Sequence, residues 1–174
     1  MDMTQSDLNE QNGIGVGDMS DTDQFLTFIL AGEEYGVDIL RVQEIKGWDA
    51  VTAIPNTPEY IRGVINLRGT IVPIIDMRIR FNLEKLEYGP MTVVIVLRVE
   101  DQDASRIMGI VVDGVSDVYN LPEEKIKPAP DFGSAVDTNF VKGLATVGEN
   151  MVIILEIDHM LNSAELSVLD SSLD

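Results

Sequence analysis

The chain of 174 residues contains no cysteine and a single histidine, His159. The absence of cysteine excludes a disulfide scaffold, thiolate metal sites and thiol catalysis, and it fits a reducing compartment. Ser-His-Asp catalysis needs a histidine base held near an activated serine. His159 instead lies between apolar residues close to the C-terminus, and the chain has no G-x-S-x-G motif. We therefore predict no catalytic residues, no cofactor and no bound metal.

Basic residues and long apolar runs are also scarce. The chain has 12 Lys and Arg against 30 Asp and Glu, which gives a net charge of −18. Such a chain repels phosphate backbones, so we predict no nucleic-acid partner. No apolar run approaches the roughly 18 residues needed to cross a bilayer, and the N-terminus does not resemble a signal peptide. We expect a cytoplasmic protein with only an indirect link to any membrane.

Residues 1–23 differ in composition from the rest of the chain. They contain three glycines and no Lys or Arg. A segment with so little apolar surface cannot offset its ordering entropy, and we predict a disordered acidic tail. An amphipathic recognition segment around Ile14 and Val16 is the alternative.

The clearest local signal is the stretch YIRGVINLRGTIVPIIDMRIRF, residues 60–81. Two apolar, β-branched runs flank Arg68 and Gly69, and glycine readily takes the positive φ of a tight turn, which predicts a β-hairpin. Pro73, inside the second run, cannot donate a ladder hydrogen bond and predicts an edge strand or a bulge. The run MTVVIVLRV, residues 91–99, does not alternate, which predicts a strand buried on both faces.

The two halves of the chain resemble each other. Residues 63–76 match residues 143–156 without a gap, and Gly36 matches Gly109. The order of the signals is the same in both halves: two strands, a loop, a hairpin and a helical end. Short strands with turn signals between them favour small barrels. We therefore predict a mainly β fold of two antiparallel barrels that arose by duplication.

Two features suggest binding. Ile39, Val42 and Ile45 surround Glu44, and this pattern returns as Val112, Val115 and Val118 around Asp117. The second feature is the hairpin tip from Asn66 to Gly69, whose amide and guanidinium groups could read carboxylates or backbone carbonyls of a partner. The alternatives are core packing for the apolar set and a solvated turn for the tip.

Three motifs carry a resemblance to a known family: EEYGVDILRVQEI, NTPEYIRGVINLRGTIVPIIDMRIRF and GIVVDGVSDV. Over residues 24–169 the chain closely resembles CheW, the coupling protein of bacterial chemotaxis. The resemblance implies two five-stranded barrels of SH3-like topology with short helices. We expect the first barrel over residues 24–88, the second over 89–157, a C-terminal helix over 158–169 that packs on the first barrel, and a short tail over 170–174.

The resemblance also implies a function and its residues. Family members do no chemistry; they connect the histidine kinase CheA, through its CheW-like regulatory domain, to the cytoplasmic tips of methyl-accepting chemoreceptors. The implied kinase-binding residues are Ile39, Val42 and Gly63. The implied receptor-coupling residues are Glu44, Asn66, Arg68, Gly69, Val93, Gly109 and Val118. We expect Glu44 and Arg68 to pair across neighbouring strands, the isolated chain to be a monomer, and arrays of receptors to recruit it.

Two other functions stay open at this point. One is a small β-barrel enzyme or ligand-binding protein, against which the missing catalytic constellation argues. The other is an adaptor outside chemotaxis, such as a coupler for a pilus or a surface-sensing array.

Overall fold

The computed structural model describes residues 24–100, 104–129 and 140–161. Ten strands form two five-stranded sheets, and few residues are helical. The strands are β1 (Gln24–Leu30), β2 (Glu33–Asp38), β3 (Val42–Gly47), β4 (Ile61–Leu67), β5 (Thr70–Asp76), β6 (Val93–Glu100), β7 (Ser105–Val112), β8 (Gly114–Asn120), β9 (Val141–Val147) and β10 (Asn150–Leu155). The helices are α1 (Met77–Arg80) and α2 (Ile157–Leu161), and 3₁₀ turns occupy Ile39–Arg41 and Glu123–Lys125.

The two sheets have equivalent strand orders. The first sheet runs β8-β1-β2-β10-β9 and the second runs β3-β6-β7-β5-β4. Each strand of the first half has its counterpart five strands later, from β1 with β6 to β5 with β10. Replacing every strand by its counterpart converts one order into the other. Matching residues occupy matching places, since Gly36 lies opposite Ile154 between β2 and β10, and Gly109 lies opposite Ile74 between β5 and β7.

The prediction of a mainly β fold with five strands in each unit is confirmed, but other parts of the predicted architecture are wrong. The β2–β10 and β5–β7 pairs are parallel, whereas the other six strand pairs are antiparallel. Each sheet is open, because the segments after β3 and β8 reach the outer strands β4 and β9 only through single bridges, Thr52–Val64 and Lys127–Leu144. Closure into a barrel would require a continuous ladder between the outer strands.

The strands are also not divided at residue 88. The first sheet takes β1 and β2 from the first half of the chain and β8, β9 and β10 from the second, and the second sheet takes the remaining strands. The predicted boundaries of 24–88 and 89–157 therefore do not describe the two sheets. The physical reason is that β1 and β2 find their neighbours in β8 and β10, which lie far along the chain.

The main core lies between the sheets. Its buried members come from both sheets and both helices: Leu26, Phe28, Leu30, Val37, Ile61, Ile75, Met77, Ile95, Leu97, Val99, Met108, Ile110, Val112, Leu155, Ile157, Met160 and Leu161. We call this set the central cluster. Each sheet also packs a smaller cluster, around Val152 and Ile154 in the first sheet and around Val72 and Ile74 in the second. Strand β6 is buried on both faces as predicted, because Val94 and Val96 join the smaller cluster while Ile95 and Leu97 join the central one.

Several local predictions have mixed outcomes. Pro73 lies in an interior strand rather than at an edge, and β5 is nevertheless compatible with proline because its pairing to β7 begins only at Ile74. The predicted C-terminal helix begins at Ile157 and is described as far as Leu161. Its predicted remainder and the two predicted tails lie outside the described residues.

Candidate protein-interaction surface

The turn between β4 and β5 presents Arg68 at the tip of the hairpin. Leu67 pairs with Thr70, so Arg68 and Gly69 are the two central residues, with φ values of 51° and 89°. Positive φ at both positions defines a type I′ turn, whose twist matches that of the flanking strands. Asn66 Oδ1 accepts a hydrogen bond of 2.8 Å from the Gly69 backbone N–H. The sequence indicated positive φ at Gly69 but gave no sign that the arginine also adopts this conformation.

Arg68 forms an ion pair with Glu44. Its Nη2 donates a hydrogen bond of 2.5 Å to Glu44 Oε1, and the Arg68 side chain is 73% exposed while that of Glu44 is 28% exposed. The expected contact is present, but the two residues are not on neighbouring strands. Glu44 lies on β3 and Arg68 follows β4, which are opposite outer strands of the second sheet. The pair therefore links the two edges of one curled sheet.

Strands β3 and β5 also carry exposed apolar side chains close in sequence to this ion pair. Ile45 follows Glu44 on β3, and Ile71 lies on β5 one residue after the turn; both are more than 40% exposed. An exposed ion pair contributes only about 0–1 kcal/mol to stability. An oriented guanidinium together with exposed apolar side chains is better suited to contact with another molecule than to holding the fold.

The matching region of the first sheet lacks the ion pair. Asp117 occupies the position that matches Glu44, and Gly148 occupies the position that matches Arg68. The Asp117 carboxylate accepts a hydrogen bond of 2.8 Å from the Val118 backbone N–H. The backbone of Asp117 also exchanges two hydrogen bonds of 3.0 Å with the Thr27 hydroxyl. Of the two matching hairpins, the one in the second sheet carries an arginine at its tip, whereas the turn of the other contains Gly148 and Glu149.

The predicted kinase-binding residues are less accessible than the pattern suggested. Ile39 and Val42 are half-buried and pack against the central cluster, while Leu40 between them is 43% exposed. Gly63 is buried and has a φ of 145°, and a Cβ added to it would lie 2.2 Å from the Thr52 carbonyl oxygen. Gly63 therefore allows a neighbouring segment to cross β4 closely, and it offers no surface of its own.

The remaining predicted residues lie on other strands. Val93 on β6 is half-buried against the central cluster. Gly109 on β7 is buried, and a Cβ there would lie 2.7 Å from Ile74 Cδ1. Val118 on β8 is 44% exposed but belongs to the first sheet. The structure thus brings Glu44, Asn66, Arg68 and Gly69 together at one tip and places the other three elsewhere.

Two bidentate ion pairs were not anticipated from the sequence. Arg41 donates hydrogen bonds of 2.8 Å to both carboxylate oxygens of Asp158. Arg78 donates hydrogen bonds of 2.9 and 2.8 Å to the two carboxylate oxygens of Asp113. The hydrogen bond that Arg41 donates to Asp158 is the main cause of a raised pKa for Arg41. Residues so distant in sequence carry no local signal of pairing.

An open cleft lies beside the second sheet and was also not anticipated. It has a volume of about 370 Å³ and is lined by Arg62, Asp76, Ile79, Lys85, Leu86, Glu87 and Tyr88. The Tyr88 hydroxyl donates a hydrogen bond to the buried Asp76. Burial, this hydrogen bond and the carboxylate charge all raise the pKa of Tyr88. The ring of Tyr88 packs on that of Trp48 at a centroid distance of 4.3 Å, which fixes the linker after α1 to the sheet.

Other kinds of site find no support in the described ranges. No group of three or more His, Asp or Glu residues in residues 24–100, 104–129 and 140–161 is arranged to hold a metal ion. None of the helices in these ranges has the length and hydropathy needed to span a bilayer. The strongest feature of these ranges is therefore the hairpin tip with the Glu44–Arg68 ion pair.

Comparisons with known proteins agree with this architecture. The crystal structure of scaffolding protein TtCheW from Thermoanaerobacter tengcongensis is similar, with a TM-score of 0.74 and 34% identity, over 83% of this chain and 95% of that chain. The chain therefore shares its two-sheet, mainly β fold with a protein whose structure is described as that of a scaffolding protein. The family model described as CheW-like domain matches residues 24–165.

Individual relatives give the same result. The chain is 51% identical to chemotaxis protein CheW of Klebsiella aerogenes over 148 residues, which cover 85% of this chain and 87% of that protein. It is 34% identical to chemotaxis protein CheW of Rhizobium meliloti over 142 residues, which cover 82% and 89% respectively. The chain belongs to the CheW family.

Proposed function

We propose that this protein is a non-catalytic adaptor that couples the histidine kinase CheA to chemoreceptor tips, so that the state of the receptor controls kinase activity. Its family membership supports a scaffold role in chemotaxis, since its relatives are named chemotaxis proteins and a solved one is titled a scaffolding protein. The observation that carries the proposal is the Glu44–Arg68 ion pair on an exposed type I′ turn. The proposal implies a cytoplasmic location and recruitment to membrane-bound receptor arrays.

The receptor is proposed to contact the hairpin tip. Receptor tips in this family are helical hairpins, and apolar grooves are one way in which a protein receives a helix. Ile45 and Ile71 supply exposed apolar surface, and Arg68 supplies an oriented donor for carboxylates or for the carbonyls at a helix end. We extend this candidate surface toward Val93 and Val118. Glu44 and Asn66 then act by holding Arg68 and its turn in the binding shape.

The kinase is proposed to dock around Ile39–Arg41 and the start of β3. Ile39 and Val42 are held against the central cluster, which gives the segment a rigid base. Leu40 is the exposed apolar side chain of this segment. Buried Gly63 supports the surface indirectly, because it lets the segment around Thr52 lie against β4. Interfaces concentrate their energy in a few such desolvated positions.

A double-mutant cycle on receptor-dependent kinase activation tests the receptor surface. Arg68→Glu places two carboxylates together and should impair activation at least fivefold while the far-UV spectrum stays native. Adding Glu44→Arg restores an ion pair and should recover part of the loss. Lys142→Glu, the same charge change on the exposed edge of the first sheet, serves as the control and should have little effect. Independent, additive effects without rescue would show that the pairing has no role in coupling.

A binding measurement with CheA tests the kinase surface. Leu40→Asp places an unpaired charge in the proposed interface and should weaken CheA binding by about tenfold or more, which corresponds to about 1.4 kcal/mol. Because Leu40 is exposed, the fold should survive the change. Met151→Asp, at an exposed position on β10, is the matched control. Equal affinities for the two variants would contradict the assignment.

A further inference from the structure

The two halves of the chain are interleaved. We define the N-half as residues 24–81 and the C-half as residues 93–161. Four of the eight strand pairings join one half to the other: β1–β8, β2–β10, β3–β6 and β5–β7. Neither half contains all the strands of either sheet. The surface between the halves is therefore the strand ladders and the central cluster themselves, rather than a contact between two finished domains.

A single linker, residues 82–92, connects these halves and contains no helix or strand. Most of its contacts are with the N-half. Tyr88 bonds to Asp76, Glu84 accepts a hydrogen bond of 2.7 Å from Arg78 Nη1 through its backbone carbonyl, and Lys85 pairs with Glu59. The linker thus continues the N-half, and it ends in a turn from Gly89 to Thr92 that two hydrogen bonds between these residues close. We place the hinge of the proposed exchange at this turn. None of the four strand pairings between the halves includes a residue of this linker.

In the two ion pairs that join the halves, the N-half supplies both arginines and the C-half supplies both aspartates. Arg41 and Arg78 belong to the N-half, and their partners Asp158 and Asp113 belong to the C-half. The two ion pairs occupy similar joints with reversed sign. Residues 78 and 158 follow matching strands, β5 and β10, at the same place in helices α1 and α2, and Arg41 matches Gly114, the neighbour of Asp113. All four side chains are less than 30% exposed.

This arrangement determines which halves fit together. If two N-halves associated in the same geometry, Arg41 of one would face Arg78 of the other. If two C-halves associated, Asp113 would face Asp158. Like charges at partly buried positions oppose both arrangements, whereas an N-half always meets a C-half with both ion pairs formed.

We propose that the partner this surface fits is a second copy of the same chain, in an exchanged dimer. The N-half of each copy pairs with the C-half of the other, and every strand pairing and both ion pairs are retained. A short linker gives the halves of one chain an effective concentration in the millimolar range, so the closed monomer prevails in dilute solution. The exchanged dimer forms when chains fold together at high concentration, or when closure within one chain is blocked.

Two full-length variants test the proposal. The first carries Arg41→Asp and Arg78→Asp, and the second carries Asp113→Arg and Asp158→Arg. Within either variant the two joints hold like charges, whereas an exchanged dimer of one variant with the other forms an Arg–Asp pair at all four joints. The variants are refolded together with different tags, and their assemblies are measured by native mass spectrometry. The mixed 1:1 dimer should exceed either self-dimer by at least tenfold.

One control variant carries all four substitutions in a single chain. Both ion pairs are then restored with reversed sign, and the chain should be a monomer with a native spectrum. If this control folds while the two variants form no mixed dimer, the proposal is overturned. If the control does not fold, two tagged wild-type chains are refolded together at millimolar and at submicromolar concentration. A mixed dimer at the higher concentration alone supports the exchange, and its absence at both concentrations overturns it.

Discussion

At the residue scale, the glycines show how closely this fold is packed. A Cβ on Gly63 would lie 2.2 Å from the Thr52 carbonyl oxygen, and one on the matching Gly143 would lie 2.5 Å from the Lys127 carbonyl oxygen. These are the places where the segments after β3 and β8 form their isolated bridges to the outer strands. In both sheets a bridging segment lies too close for a Cβ at this position, which explains why glycine stands at both places.

Gly63→Ala should destabilise the protein. The new methyl group would collide with backbone, and a φ of 145° is open essentially to glycine alone, so we expect a cost of about 1–3 kcal/mol in the free energy of unfolding. Urea unfolding followed by circular dichroism measures this cost. Gly47→Ala is the control, because nothing lies within 4 Å of its added Cβ. Equal stability of the two variants would show that the backbone relaxes at Gly63 without penalty.

Some residue roles could be predicted from the sequence and others could not. The pairing of Glu44 with Arg68 follows from the family resemblance, and the positive φ of Gly69 follows from turn chemistry. For Ile39 and Val42 the sequence left binding and core packing both open, because spacing does not show which side of a segment faces a core. The packing role of Gly109 could not be predicted either, since it depends on Ile74, a residue of another strand.

At the scale of elements, the ion pair between Arg78 and Asp113 ties α1 to the junction of β7 and β8. Burial alone would raise the pKa of Asp113, but the hydrogen bonds from Arg78 and from the Ala31 backbone N–H, together with the guanidinium charge, bring its pKa below the ordinary value of 3.8. Because the pKa is lower in the folded state, the ionised carboxylate stabilises the fold. This contribution is complete above about pH 4 and is lost as the pH falls through the folded-state pKa.

Asp113→Asn should therefore destabilise the protein at pH 7 by about 1–3 kcal/mol, and by less at pH 2.5. The free energy of unfolding in urea, measured at both pH values for wild type and variant, tests this expectation. Glu149→Gln, at an exposed turn position, removes a carboxylate that has no ion pair with any residue of the described ranges, and it serves as the control. A difference between wild type and Asp113→Asn that stays constant with pH would contradict the role of the charge.

Most strands, but not their neighbours, could be predicted. Runs of β-branched residues and the turns at Arg68 and Gly148 indicate where strands begin and end. The sequence repeat even identifies residues that occupy matching places, such as Gly36 and Gly109. Consecutive strands usually lie side by side, and this tendency favours two consecutive barrels. The pairing of β2 with β10 and of β5 with β7 depends on contacts across the whole chain, which periodicity does not contain.

At the scale of the whole molecule, the function is proposed to reside in residues 24–161. We expect that deletion of residues 1–22 leaves receptor-dependent kinase activation within twofold of the wild-type value, because their composition supplies little apolar surface for binding. The measurement uses arrays reconstituted from receptor, CheA and either form of this protein. A deletion within the fold, such as loss of β10, serves as the inactive control. A large loss of activation on removal of residues 1–22 would instead assign a role to the alternative recognition segment around Ile14 and Val16.

The difference between the two hairpins gives the molecule a direction. Its sheets share one strand order, so their shapes alone offer a neighbour two similar ways to approach. The arginine at position 68 and the glycine at position 148 mark the two ends differently. A partner that reads the arginine can accept the molecule in one orientation only. In an ordered lattice of many copies, this single arginine would therefore give every copy the same orientation.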